Sequence, residues 1–126
     1  MQPLNNVVIL RGNLGNDPEL RYTTKNVPVC NFNLATNEFQ ISETGQRKKH
    51  TEWHKITVWG KCAEQCAKSL EVGREITLRG KLVTKAWTNK EGIECQATEV
   101  HTQEVEFGRY PRREDEEDFD PEDISE

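Results

Sequence analysis

Thr51-Glu52-Trp53-His54-Lys55-Ile56-Thr57-Val58-Trp59 reads as one β-strand with two unlike faces. Side chains two apart on a strand share a face. Trp53, Lys55, Thr57 and Trp59 therefore fall on one side, and His54, Ile56 and Val58 on the other. Lys81-Leu82-Val83-Thr84-Lys85-Ala86-Trp87 repeats the pattern, with Lys81, Val83, Lys85 and Trp87 on one face. A core face excludes lysines, and a solvated face rarely collects three indoles. A face carrying both offers platforms on which bases stack and cations that meet phosphates.

The neighbouring segments extend this into a sheet. Asn6 to Leu14, rich in Val, Ile and Leu, reads as a first strand, and Gly15-Asn16-Asp17-Pro18 as a turn. Val29 to Thr36 alternates, with Cys30, Phe32 and Leu34 inward and Asn31 and Asn33 outward. Phe39 to His50, with the basic cluster Arg47-Lys48-Lys49, is a long polar loop or the end of a long hairpin. Glu52 to Trp59 is the third strand. Lys61 to Leu70 carries the one helical signal, Ala63, Cys66, Ala67 and Leu70, with Gly73 just beyond it as the helix stop. Glu75 to Gly80 is a fourth strand that Lys81 to Trp87 continues, bent at Gly80 or followed by a separate strand. Thr88 to Gly92 is a hairpin loop, and Ile93 to Phe107 returns as a long or bulged strand. About five strands with one short helix between the third and fourth predict an all-β, five-stranded Greek-key barrel of the oligonucleotide-binding (OB) type.

Charge divides the chain. The net charge of −5 hides a split: all 17 Lys and Arg lie in residues 1–113 with 13 of the 22 acids, a formal +4. Residues 114–126 hold the other nine acids and no base, a formal −9. This predicts a binding body over 1–107 and a short linker with a disordered acidic tail over 108–126. No apolar run approaches the roughly 18 residues that span a bilayer, and the N-terminus lacks signal-peptide character. A cytoplasmic, nucleoid-associated protein is expected. Cys30, Cys62, Cys66 and Cys95 form no Cys-x-x-Cys pair, and His50, His54 and His101 fall into no zinc-finger spacing, so no metal or cofactor is expected. His54, opposite Trp53, suits the core or a subunit interface. No carboxylate pair or nucleophile–base set is visible, which argues against an enzyme. A nuclease, the enzymatic alternative, would need a cluster of metal-binding acids.

Asn13-Leu14-Gly15-Asn16-Asp17-Pro18-Glu19-Leu20-Arg21-Tyr22, Leu34-Ala35-Thr36-Asn37-Glu38 and Thr51-Glu52-Trp53-His54 resemble the bacterial single-stranded DNA-binding proteins. So do Trp59-Gly60-Lys61-Cys62-Ala63-Glu64 and Trp87-Thr88-Asn89-Lys90-Glu91-Gly92, in order and spacing. The resemblance covers about residues 5–107. It implies an OB fold, a homotetramer, and sequence-independent binding of single-stranded DNA (ssDNA) in replication, recombination and repair, without catalysis. Carried over by position, the stacking aromatics are Trp53, Trp59 and Trp87. The family's further Trp, just after Leu-Ala-Thr, falls near Gln40, with Phe39 beside it as a candidate. The family tip, an acidic run closing on Ile-Pro-Phe, is replaced by Asp120-Pro121-Glu122-Asp123-Ile124-Ser125-Glu126, leaving Phe119, Asp123 and Ile124 as partner-docking candidates. The linker is also shorter than is usual in the family.

Lys55, Lys81 and Lys85 lie beside the indoles as phosphate contacts. Arg11, Arg21, Arg79, Asn31, Asn33, Arg47, Lys48 and Lys49 extend the polar track. An OB-fold adaptor of the primosomal kind, binding DNA weakly, is the alternative within the same fold.

Overall fold

The computed structural model describes residues 4–108. In chain order the elements are β1 (Val8–Leu14), β2 (Glu19–Tyr22), β3 (Pro28–Ile41), β4 (Arg47–Trp59), α1 (Lys61–Ser69), β5 (Glu75–Thr88) and β6 (Glu94–Phe107). Pairing runs β1-β5-β6-β4-β3 and returns to β1 through Asn13↔Ala35 and Leu14↔Leu34, which closes the five-stranded barrel expected from the sequence. The β4–β6 seam, from Ile56↔Val100 to Val58↔Thr102, is parallel; the other ladders are antiparallel.

Alternation builds the core. Cys30, Phe32 and Leu34 of β3 point inward beside Ile56 and Val58 of β4, Ile76 and Leu78 of β5, Leu14 of β1 and Val100 of β6. Each such aliphatic side chain contributes roughly 1.5–3 kcal/mol of burial. Helix α1 packs chiefly against β3 and buries Ala63 and Cys66, with Leu70 just past its end, so the 3.6-residue pattern marks the covered face.

One sequence expectation needs correction, at Gly73, and three readings that the sequence left open are resolved. Glu19–Tyr22, left unassigned in the sequence, is a strand; it pairs with residues 28–31 on the second edge of β3, outside the closed barrel. The 39–50 segment is the end of a long hairpin, the second of the two readings the sequence left open, with only 42–46 outside the strands; Ser42 N–H donates to Gln46 C=O, Gly45 N–H to Ser42 C=O and Gln46 N–H to Ser42 Oγ. Gly73 is not the helix stop. The chain leaves α1 at Leu70 in an extended conformation, and Gly73 lies in a turn closed by Arg74 N–H on Glu71 C=O. Residues 75–88 are one strand, and the ladder to β6 shifts register between Arg79 and Gly80. A Cβ at Gly80 would collide with the His101 carbonyl, so the bend needs glycine. Among the described residues, no helix is long and apolar enough to cross a membrane.

Candidate nucleic-acid interface

Register puts the sequence-predicted residues on one surface. Across β3–β4 the outward pairs are Asn31↔Thr57, Asn33↔Lys55 and Ala35↔Trp53, with Val29 opposite Trp59. Across β5–β6 they are Lys81↔His101, Val83↔Glu99, Lys85↔Ala97 and Trp87↔Cys95. The parallel pair Thr57↔His101 joins the two halves. Trp53, Lys55, Trp59, Lys81, Lys85 and Trp87 thus belong to one continuous face over β3, β4, β6 and β5. Trp53 and Trp87 are 45% and 49% exposed, enough for a base to lie on them.

Hydrogen bonds fix the floor of this face. Asn31 Nδ2 donates to Thr57 Oγ1 (2.9 Å), whose hydroxyl donates to Glu99 Oε1 (3.1 Å). From the other side Trp59 Nε1–H donates to His101 Nδ1 (3.3 Å), and His101 Nε2 meets the same Glu99 oxygen at 3.1 Å. Lys85 Nζ lies 3.6 Å from it. Burial raises the Glu99 carboxyl, but the hydrogen bonds from His101 and Thr57 and the charge of Lys85 outweigh it, holding the group below the usual carboxylate range. Thr57, expected as an exposed neighbour of the indoles, is 2% exposed because this network covers it.

The walls come from β2 and the β1–β2 turn. β2 brings Arg21 and Tyr22 over the floor, where with Thr57, Trp59 and Lys85 they line a cavity of about 200 Å³. Arg21, Asn31, Asn33, Lys55 and Glu99 line a second, of about 270 Å³. Tyr22 Oη donates to Glu64 of α1 (3.0 Å), and that bond raises the phenol above its ordinary value. Gly15 N–H donates to Asn33 C=O, and Asn33 N–H to Asn16 Oδ1, both at 2.8 Å, which pins the β1–β2 turn to β3. A Cβ on Gly15 would run into the Trp53 ring, so the glycine makes room for the indole.

The outer candidates divide. Phe39, opposite Lys49, shares the alternation of Trp53, whereas Gln40, opposite Lys48, shares that of His54. The Arg47 guanidinium lies 3.8 Å from the Phe39 ring centre. Arg47 and Lys49 are therefore on the indole face and Lys48 is on the reverse. Arg79 borders a concavity of about 690 Å³ with Trp59, Lys81 and His101. Arg11 is set apart on β1, beyond β5, and pairs with Glu75 at 3.4 Å. His54 is half-buried, bonded to Thr36 Oγ1 at 2.9 Å, and burial lowers its proton affinity. Phe119, Asp123 and Ile124 lie outside the described residues. Tyr22, Thr57, Glu99 and His101 escaped the sequence reading as site residues.

The thiols are free. Burial pushes Cys30 up to about 11 and raises Cys66 further, so neither is a ready nucleophile. Among the described residues, no three His, Cys, Asp or Glu side chains are grouped to hold a metal ion.

Residues 5–108 match the single-strand binding protein family. Over 96 residues the chain is 45% identical to Single-stranded DNA-binding protein 1 of Chlorobaculum tepidum, which covers 75% of this chain and 59% of that protein. The chain thus spans about three-fifths of the length of that curated relative. The fold is similar to a Plasmodium falciparum SSB solved in complex with ssDNA (TM-score 0.78, 28% identity, 86% of this chain and 99% of that one). It is also similar to a deletion mutant of the single-stranded DNA binding protein from Thermus aquaticus (TM-score 0.74, 25% identity, 84% and 51%). With a closed five-stranded barrel, an indole-and-lysine face and a family match over almost all of the described residues, this chain belongs to the single-strand binding protein family.

Proposed function

We propose that the chain binds ssDNA without sequence preference, by stacking bases on Trp53, Trp59, Trp87 and Phe39 while a cationic track follows the phosphates. The observation that carries this is the continuous face on which exposed indoles alternate with Lys55, Lys81 and Lys85. Stacking is worth roughly 1–3 kcal/mol per base and tolerates any base. Asn31, Asn33, Arg21, Arg79, Arg47 and Lys49 extend the track; Lys48 and Arg11 contribute at its margins. Duplex DNA hides its base faces and binds far more weakly. The body comprises residues 1–107.

The test is tryptophan fluorescence during titration with oligo-dT, repeated with duplex and across a salt series. Strong quenching by oligo-dT is expected. About five neutralised phosphates per subunit give a log–log salt slope near −3.5. Equal response to duplex, or no quenching, sinks this reading and favours the adaptor alternative.

Three finer roles belong to the same proposal. The chain acts in replication, recombination and repair in the cytoplasm, at the nucleoid, and without catalysis. It assembles with copies of itself, as a homotetramer; Ile9 and Leu82, 67% and 49% exposed, suit cover by another copy. The acidic segment 114–126 competes with ssDNA for the basic face and offers Phe119, Asp123 and Ile124 to partner proteins. Truncation after Arg113 is expected to tighten oligo-dT binding at low salt, and unchanged affinity would remove the competition.

A further inference from the structure

The floor of the groove carries an anion beneath the path of the strand. Glu99 stands on β6 opposite Val83 of β5, on the face of the indoles and lysines. Its side chain is 13% exposed, so a ligand can reach it. His101 accepts the Trp59 indole hydrogen at Nδ1, so its Nε2 bears the hydrogen that it gives to Glu99. The Thr57 hydroxyl, that imidazole N–H and the Lys85 ammonium all approach the same oxygen, Oε1, at 3.1, 3.1 and 3.6 Å. Among the described residues, none bonds to the other oxygen, Oε2. The partners hold the group below the usual carboxylate range, so at neutral pH it is ionised and can only accept. They come from three strands, with Thr57 tied in turn to Asn31 on a fourth, so the carboxylate is held in place rather than free to swing.

Charge decides what can rest on it. Glu99 lines the cavity of about 270 Å³ together with Asn31, Asn33, Lys55 and Arg21. The carboxylate repels a phosphate, so the backbone keeps to the cations and a base edge meets the floor. An edge that donates is attracted. Cytosine offers its exocyclic amino group to a carboxylate, and its N3 and O2 acceptors suit the donors of Lys55, Arg21 and the two amides. Thymine and uracil put a carbonyl where cytosine has the amino group, and their one edge donor is flanked by two carbonyl oxygens. Stacking on the indoles tolerates either pyrimidine, so discrimination between them falls to the floor.

We propose that Glu99 is a specificity-determining residue: its unpaired oxygen accepts a hydrogen bond from the amino group of a cytosine seated in this cavity, one seat per chain that favours cytosine over thymine or uracil. This inference rests on the ssDNA-binding reading and adds a composition bias to it.

Fluorescence titrations of the full chain with oligo-dC and oligo-dU, wild type against Glu99→Gln, test it. The two strands differ only along the base edge, and a slightly alkaline buffer keeps cytosine uncharged. In the variant, Thr57 and His101 hold the amide oxygen, so the amide N–H group takes the place of Oε2 and a donor replaces the acceptor. The ratio of dC to dU affinity is expected to fall roughly two- to tenfold, the worth of one hydrogen bond. Loss of the negative charge strengthens both strands alike and leaves that ratio untouched. An unchanged ratio with both strands bound overturns the base-reading role and leaves Glu99 as a support for the floor alone. The unaltered chain gives a second readout, which stands even where Glu99→Gln fails to fold. By NMR of bound oligo-dC labelled at the amino nitrogens, an amino proton is expected to move downfield and to exchange slowly with water. Amino signals like those of the free strand overturn the proposal. Failure of both strands to bind overturns the ssDNA reading and the cytosine seat with it.

Discussion

At the scale of single residues, the groove depends on small side chains as much as on large ones. Trp53 lies over Gly15 with no space for a methyl group. Gly15→Ala is expected to push the indole off its seat and weaken oligo-dT binding by up to the worth of one stacked base, about 1–3 kcal/mol. Fluorescence titration beside a thermal melt checks this; wild-type affinity would show that the ring relocates without loss. The indoles and their lysines were legible in the sequence because period-two alternation is a local property of one strand. Glu99 and His101 were not. Thr57 and Glu99, and likewise Trp59 and His101, are 42 residues apart, and nothing in their spacing reports the β4–β6 register that joins them. Phe39 shows the same limit: only the continuous ladder from Val29↔Trp59 to Ile41↔Arg47 places it on the face of Trp53 and Gln40 on the reverse.

At the scale of elements, β5 does two jobs. Its first half, with Ile76 and Leu78 inward, belongs to the barrel; its second, beyond the Gly80 bend, is an arm with β6 that carries Lys81, Lys85 and Trp87. Because Val83 is only half-buried and the other β5 side chains from Lys81 to Thr88 are exposed, changes on that strand leave the core intact. Trp87→Ala is accordingly expected to cost about 1–3 kcal/mol of oligo-dT binding while the melting temperature holds. A matching fall in melting temperature would mean that the arm supports the fold. Helix α1 was readable from its apolar spacing. β2 was not, because Glu19-Leu20-Arg21-Tyr22 is short, follows a proline and is exposed throughout, so it buries no face that alternation could mark. The outer β3–β4 hairpin was ambiguous for the same reason: past Thr36 most side chains of both strands are exposed or half-buried.

At the scale of the whole molecule, three depressed groups set the acid limit: His54, Glu99 and Glu52, the last held down by its hydrogen bond with His50. Burial lowers His54, and its hydrogen bonds and Lys85 hold Glu99 down against the opposing effect of burial. Each resists protonation more in the folded chain than in the unfolded one, so unfolding takes up protons. Their contributions are complete above the ordinary values of 6.5 and 4.5 and are lost as pH falls through the lower folded values. The melting temperature is expected to hold above neutrality, decline below about pH 6.5, and fall further below about pH 4.5. His54→Gln should remove the first decline; its persistence would assign that step elsewhere.

The position of β6 in the barrel also bears on synthesis. Glu94–Phe107 is the last described strand, yet it alone bridges β4 to β5 and supplies Glu99 and His101 to the groove floor. A growing chain can zip β3 to β4 early, but the ring stays open and the floor incomplete until residues around Val100 have left the ribosome. Until then the β4 edge that later meets β6 is unpaired, and the nascent body is at its most exposed to wrong partners. The groove, on this account, forms in the last step of synthesis of the body rather than strand by strand.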